Sequence, residues 1–145
     1  MKCLIQRVKE AQVHIDEKLH SSIGQGLLAL ICAEHGDTEA TVKKAVDKLL
    51  KLRIFSDADD KMNLSLQQVN GGLLVVSQFT LAADTSRGNR PSYTNAAPPT
   101  TGEALYEYFL AYARSQHHDV ACGVFGANMQ IHLINDGPVT IPLEF

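Results

Sequence analysis

Over the first third of the chain, apolar and polar residues alternate with the period of two expected of half-buried strands. Cys3, Ile5 and Val8 begin the pattern, and Ala11, Val13 and Ile15 continue it with Gln12, His14 and Asp16 on the opposite face. Asp16-Glu17-Lys18 reads as a turn into Leu19–Ile23. Gly24-Gln25-Gly26 interrupts the chain, and the unbroken run Leu27–Ala33 suits a strand buried on both faces. The period then changes. Val42, Ala45, Val46, Leu49 and Leu50 recur at helical spacing, with Lys43, Lys44, Lys48 and Lys51 on the solvent side. Asp37 or Thr38 is the expected cap and Glu39 suits the first turn.

Past this helix, Ser56–Lys61 is a polar loop whose acids lack the glycine and distal glutamate of a calcium loop. Met62–Leu66 suits a short strand, and Gly71-Gly72 leads into Leu73–Leu81, the most apolar predicted strand. Its polar members Ser77, Gln78 and Thr80 fall at the end, where a strand emerges at a site. Residues 82–101 form a long loop with prolines and two arginines, Arg87 and Arg90, which suit phosphate. A second helix opens at Thr101-Gly102-Glu103, with Leu105, Phe109, Tyr112 and Ala113 inward and Tyr106 and Tyr108 flanking. Strands follow at 120–122, 129–134 and 139–145. Between the last two, Asn135-Asp136-Gly137-Pro138-Val139-Thr140 resists a simple hairpin, because Pro138 disfavours the turn angles that Gly137 would need. This order predicts a single α+β domain over residues 1–145, with a mainly antiparallel, barrel-like sheet and two main helices.

Charge and cysteine usage narrow the function. A net charge of −3 offers no broad basic face for a nucleic-acid backbone, although the end of a nucleic acid needs only a few local cations. Cys3, Cys32 and Cys122 form no C-x-x-C pair and read as reduced thiols of a cytoplasmic protein. No apolar run approaches a membrane span. His117-His118-Asp119 with Cys122 has no second cluster to complete a metal site, so neither metal nor cofactor is expected. No G-x-S-x-G elbow or local Cys-His signature is present. His14 and His132 are bases only if folding brings them close. Thr80 is either a nucleophile or, with Ser77 and Gln78, part of a frame that positions a polar substrate. A non-catalytic binding module using the loop at 85–99 is a third reading.

Two stretches, Ser77-Gln78-Phe79-Thr80-Leu81 and Asn135-Asp136-Gly137-Pro138-Val139-Thr140, together resemble the signature motifs of the D-aminoacyl-tRNA deacylases. The resemblance runs along essentially the whole chain, through Arg53-Ile54-Phe55, Gly88-Asn89-Arg90-Pro91-Ser92, Ala96-Ala97-Pro98-Pro99 and Phe125-Gly126-Ala127-Asn128-Met129. Tyr93 stands where that family often has Phe, and Asn128 where Asp is common. The resemblance implies a cytoplasmic homodimer with active sites at the subunit interface. It would act on the aminoacylated 3′ end of tRNA and cleave D-amino acids from it, with glycine on tRNA(Ala) as a further substrate. It implies a cis Gly137-Pro138 peptide that enters the partner's pocket and rejects L-amino acids. The backbone of Phe79 and Thr80 would face the reacting carbonyl, with Ser77 and Gln78 shaping the pocket. Phe125 and Met129 would wall the terminal adenosine, and the ribose 2′-hydroxyl would assist in place of a protein base.

Overall fold

The long first strand, β1 (Lys2–Ile15), organises the sheet in a computed structural model that describes residues 1–145. One edge of β1 pairs antiparallel with β3 (Gly26–Cys32) over its first half and with β2 (Lys18–Ile23) over its second. The other edge pairs with the final strand along nearly its whole length. The buried side chains of β1 are Cys3, Ile5, Val8, Ala11 and Val13. Their spacing slips on either side of Val8, and the pairing register shifts at the same place. The broken alternation in the sequence is therefore the mark of two bulges.

Helix α1 (Glu39–Lys51) follows β3 and buries Val42, Ala45, Val46, Leu49 and Leu50, as its periodicity predicts. Thr38 is its N-cap, with its amide donating to Thr41 Oγ1 at 3.2 Å, while Asp37 Oδ2 accepts from the Glu34 amide at 2.6 Å. A small ribbon, β4 (Phe55–Ser56) and β5 (Met62–Leu64), precedes β6 (Gly72–Ser77). Helix α2 (Pro99–Gln116) then leads to β7 (Val120–Cys122) and β8 (Gln130–Glu144). Pro99 takes the first helical turn, where its missing N–H costs nothing, so α2 starts earlier than Thr101. Tyr106 faces the core and Tyr112 is only half-buried, the reverse of the expected stripe.

The sheet is mixed, which corrects the mainly antiparallel expectation. β3 pairs parallel with β6, and β6 parallel with β7. Each parallel pair is joined by a helical crossover, α1 for the first and α2 for the second, so two such units sit inside a β-rich order. Strand order is β2-β1-β3-β6-β7 with β8 on the far side of β1. The Ser21 hydroxyl donates to the Cys122 carbonyl at 2.7 Å, linking the two ends of that order and nearly closing the sheet as a barrel. Leu27, Ala29, Ile31, Leu73 and Val75 pack toward the helices in the larger core. Leu28, Leu74 and Val76 join Val8, Ala11, Val13 and Ile23 inside the curl. β3 and β6 are thus covered on both faces, which accounts for their continuous apolar runs. No helix is long and apolar enough to cross a membrane.

β6 ends at Ser77 instead of running on to Leu81, and Phe79–Ala82 form a short 3-10 turn. The C-terminal stretch is likewise not two strands joined by a hairpin. β8 pairs with β1 on both sides of an excursion, since Gln6 faces Thr140 and Val8 faces Asn135. Residues 136–139 therefore bow outward opposite Arg7. Asn135 closes the bow: Val139 N donates to its Oδ1 at 2.8 Å, and its Nδ2 donates to Thr140 Oγ1 at 3.0 Å. From the other side, Arg7 Nε donates to the Asp136 carbonyl at 2.8 Å and its Nη1 to the Ile54 carbonyl at 2.6 Å.

Gly26 and Gly72 begin the parallel pairing as partners. A Cβ on Gly26 would run into the Gly72 carbonyl, and one on Gly72 would meet Ile23 Cβ at 2.8 Å. Gly26 thus serves close strand approach, whereas Gly24 has open space around it. Gly26→Ala is expected to cost at least about 2 kcal/mol, because backbone must move to admit the methyl. Urea denaturation would show this as a lower midpoint at unchanged slope.

Candidate active site

The turn at the end of β6 opens one wall of a cleft of about 720 Å³. Ser77 is the last strand residue, and the Gln78 amide makes a final bond to the Ile31 carbonyl at 2.7 Å. The chain then tightens, with Leu81 N–H donating to Gln78 O at 3.2 Å and Ala83 N–H to Thr80 O at 3.1 Å. Phe79 and Thr80 supply the first amides of that turn, positions at which a helix provides no internal acceptor. The Cys32 thiol supports the turn from below, donating to the Phe79 carbonyl at 3.6 Å. Burial, reinforced by the charge of Glu34, pushes the Cys32 pKa up, which keeps it a protonated donor and a poor nucleophile.

Thr80 lies behind this wall. Its Oγ1 accepts from Gln78 Nε2 at 2.6 Å. An amide nitrogen cannot take a proton, so this hydroxyl has no activating base beside it. The bond instead ties Gln78 to Thr80 and fixes the side chain of Gln78 in the cleft.

Phe125 and Met129 form the opposite wall with the turn between them. Phe125 rests on Tyr106, with ring centroids 5.9 Å apart. The buried Tyr106 hydroxyl lies 3.0 Å from the Val75 carbonyl and 3.2 Å from that of Gly123. Burial raises its pKa strongly, so it stays a neutral donor that joins α2 to both walls. Met129 is held in place as its Sδ accepts from Val124 N–H at 3.4 Å. Tyr93, Thr94 and the start of α2 at Pro98-Pro99 complete the rim, together with His35.

Of the residues singled out by sequence, Ser77, Gln78, Phe79, Phe125 and Met129 meet in one cleft, with Thr80 adjoining. Gly137 and Pro138 do not line it in their own chain. They stand exposed at the tip of the β8 bow, with the peptide between them cis. Gly137 has φ of +154°, and a Cβ there would meet Val139 N and Cγ2 at 2.7 Å, so the position requires glycine. Arg7, which anchors the bow, carried one signal in the sequence: it stands where the alternation of β1 slips. His14 and His132 pack against each other, with ring centroids 4.7 Å apart, and neither lines the cleft that holds Ser77. His117 is buried against the Gly71 carbonyl at 2.7 Å, and no group of three potential ligands could hold a metal ion.

The family model described as D-Tyr-tRNA(Tyr) deacylase matches residues 4–144. A D-aminoacyl-tRNA deacylase of Azoarcus sp. (strain BH72) is 65% identical over 144 residues, covering 99% of this chain and 95% of that protein. One from Delftia acidovorans (strain DSM 14801 / SPH-1) is 61% identical over 146 residues, covering 97% of this chain and 94% of its own. Among solved structures, a c-Myc DNA Unwinding Element Binding Protein superposes with a TM-score of 0.95 at 38% identity, covering 100% of this chain and 99% of that one. A probable eukaryotic D-amino acid tRNA deacylase shares the fold, with a TM-score of 0.83 at 17% identity over 98% of this chain and 97% of that one. With near-complete coverage by the family model and by relatives of such identity, the chain belongs to the D-Tyr-tRNA(Tyr) deacylase family.

Proposed function

We propose that this protein hydrolyses the ester joining a D-amino acid to the 3′-terminal adenosine of tRNA, releasing the free amino acid and free tRNA. The observation that carries the reading is the Ser77–Thr80 turn: Phe79 and Thr80 stand at its start, where amides have no acceptor within the turn, Ser77, Gln78 and Phe79 line an apolar-walled cleft, and the Thr80 hydroxyl is bonded to the Gln78 side-chain amide rather than to a base. An aminoacyl ester is already activated, so orientation and oxyanion stabilisation suffice for much of the rate. Water adds to the acyl carbon, the amides of Phe79 and Thr80 receive the developing oxyanion, and the bond to the ribose oxygen breaks. The neighbouring 2′-hydroxyl assists proton transfer. Phe125 and Met129 wall the adenosine. Gln78 and Ser77 hold the shape around the carbonyl.

Chirality is judged by main chain. Gly137 and Pro138 do not line the cleft of their own chain, and in this reading they enter that of a second copy, making the enzyme a homodimer with two shared sites. The outer edge of β8 pairs with no strand of its own chain, leaving this side of the sheet available to another copy. A backbone held by Arg7 and Asn135 is a firm obstacle: an L side chain would strike it, whereas a D side chain would point away. Exclusion of this kind rejects a whole enantiomeric series without reading side-chain identity. Glycine has no side chain to strike, so glycine misplaced on tRNA(Ala) is also accepted.

Purified protein should release D-Tyr from D-Tyr-tRNA at least about 100-fold faster than L-Tyr from the L ester. Equal rates would sink the reading. Thr80→Val should lose no more than about tenfold, the scale of one neutral hydrogen bond, and no acyl-enzyme should be trapped in single-turnover experiments. A fall of several orders of magnitude would instead make Thr80 the nucleophile. Gly137→Ala should lower kcat/KM for the D ester and narrow the D-over-L ratio, since the bow cannot keep its shape around a methyl group. Steady-state kinetics with both enantiomers would measure it.

A further inference from the structure

We infer that Phe79 and Tyr93 form a stacking platform for an unpaired nucleotide of the RNA strand leading into the cleft, with Arg87 and Arg90 meeting its phosphates. The inference rests on reading the cleft as an aminoacyl-tRNA site, and it adds a subsite beyond the terminal adenosine.

Phe79 is 59% exposed and Tyr93 37% exposed, although both line the same cleft. Their rings meet edge to face, with centroids 5.1 Å apart and planes at 73°. That contact is a favourable aromatic geometry, and it props each ring while leaving aromatic surface open to solvent. The backbone beneath them is fixed. Phe79 begins the 3-10 turn, and Tyr93 O accepts from Ala96 N–H at 3.1 Å. The platform is thus preorganised, and a ligand need not pay to order it.

The charge lies in the segment of chain that leads to Tyr93. Asp84 and Ser92 exchange two backbone bonds of 2.7 and 2.9 Å, which close a hairpin directly before Tyr93. Its exposed segment carries Arg87 and Arg90. Neither guanidinium takes part in an ion pair, whereas Arg7 is engaged with Asp136. The nearby acid, Asp84, is held to the hairpin by Ser86, whose amide donates to its Oδ1 at 2.9 Å. Unpaired exposed cations in the same loop as a propped aromatic face are the combination that recognises single-stranded nucleic acid: phosphates meet charge and each base meets a ring. Stacking of this kind is tolerant of base identity, so the subsite would add affinity for tRNA without selecting among tRNAs.

The test compares D-Tyr-tRNA with the short ester 3′-O-D-tyrosyl-adenosine, which lacks the preceding nucleotides. Tyr93→Ala should reduce the tRNA-over-short-ester ratio of kcat/KM about tenfold, mainly through KM for the tRNA, and Tyr93→Phe should restore it. Arg87→Ala with Arg90→Ala should flatten the salt dependence of KM for the tRNA. An unchanged ratio in Tyr93→Ala overturns the platform. So does a fall of the Tyr93→Ala variant to monomer in sedimentation, which would assign the rings to a subunit contact. Failure of the wild-type protein to cleave either ester would instead overturn the reading of the cleft itself.

Discussion

The parallel pairing of β3 with β6 is the constraint on which the remaining architecture depends. It starts at Gly26 and Gly72, where only hydrogen atoms fit between the two backbones, and ends at the bond from Gln78 to Ile31. Six consecutive register pairs, Gly26–Gly72 the first, make up the pairing. A slip of one residue would exchange Leu73 and Val75, which face the helices, with Leu74 and Val76, which face the curl. It would also move the point at which the strand stops and the turn begins. The position of Phe79 and Thr80 is therefore set by packing at the far end of the strand, some distance from the chemistry.

The groups beneath the site share one electrical character. Cys32 and Tyr106 are both pushed by burial toward their neutral, proton-bearing forms, and both donate to carbonyls of the walls. Gln78 and Thr80 are neutral at every pH. In the proposed reaction this scaffold would set dipoles of fixed direction around the acyl group and leave proton transfer to the substrate. Such an arrangement stabilises developing charge without having to reorganise as the charge appears.

Much of this could be read from the residues. The stripe of α1 and the doubly buried runs of β3 and β6 were plain in their periodicities. The parallel partnership of β3 and β6 was hidden, because apolar runs do not say which neighbour they pair with, and the β-rich order masked two crossovers. Ser77–Phe79, Phe125 and Met129 were legible as one site only through the resemblance of two motifs, since nothing in their spacing brings 77 near 129. The end of β6 was misplaced because Phe79 and Leu81 are as apolar as the strand before them. What ends it is a change of backbone direction at Gln78, with φ of −146° and ψ of 80°. The clamping roles of Arg7 and Asn135 were not legible for a related reason, although Asn135 stands in a recognised motif and Arg7 where the alternation of β1 slips. Their partners include the carbonyls of Asp136 and Ile54 and the amide of Val139, and main-chain partners leave no trace in side-chain pattern.

The bow in β8 leaves the inward phase of the strand intact. Ile131, Leu133 and Asn135 are half-buried before it, and Val139, Ile141 and Leu143 after it. Because the interruption spans an even number of steps and is closed by its own clamp, the barrel wall does not register what the tip contains. The segment behaves as an exchangeable tool on a fixed handle. Side chains at 136 and 138 could therefore change with little cost in the interior, while 137 stays glycine because a Cβ there would meet Val139.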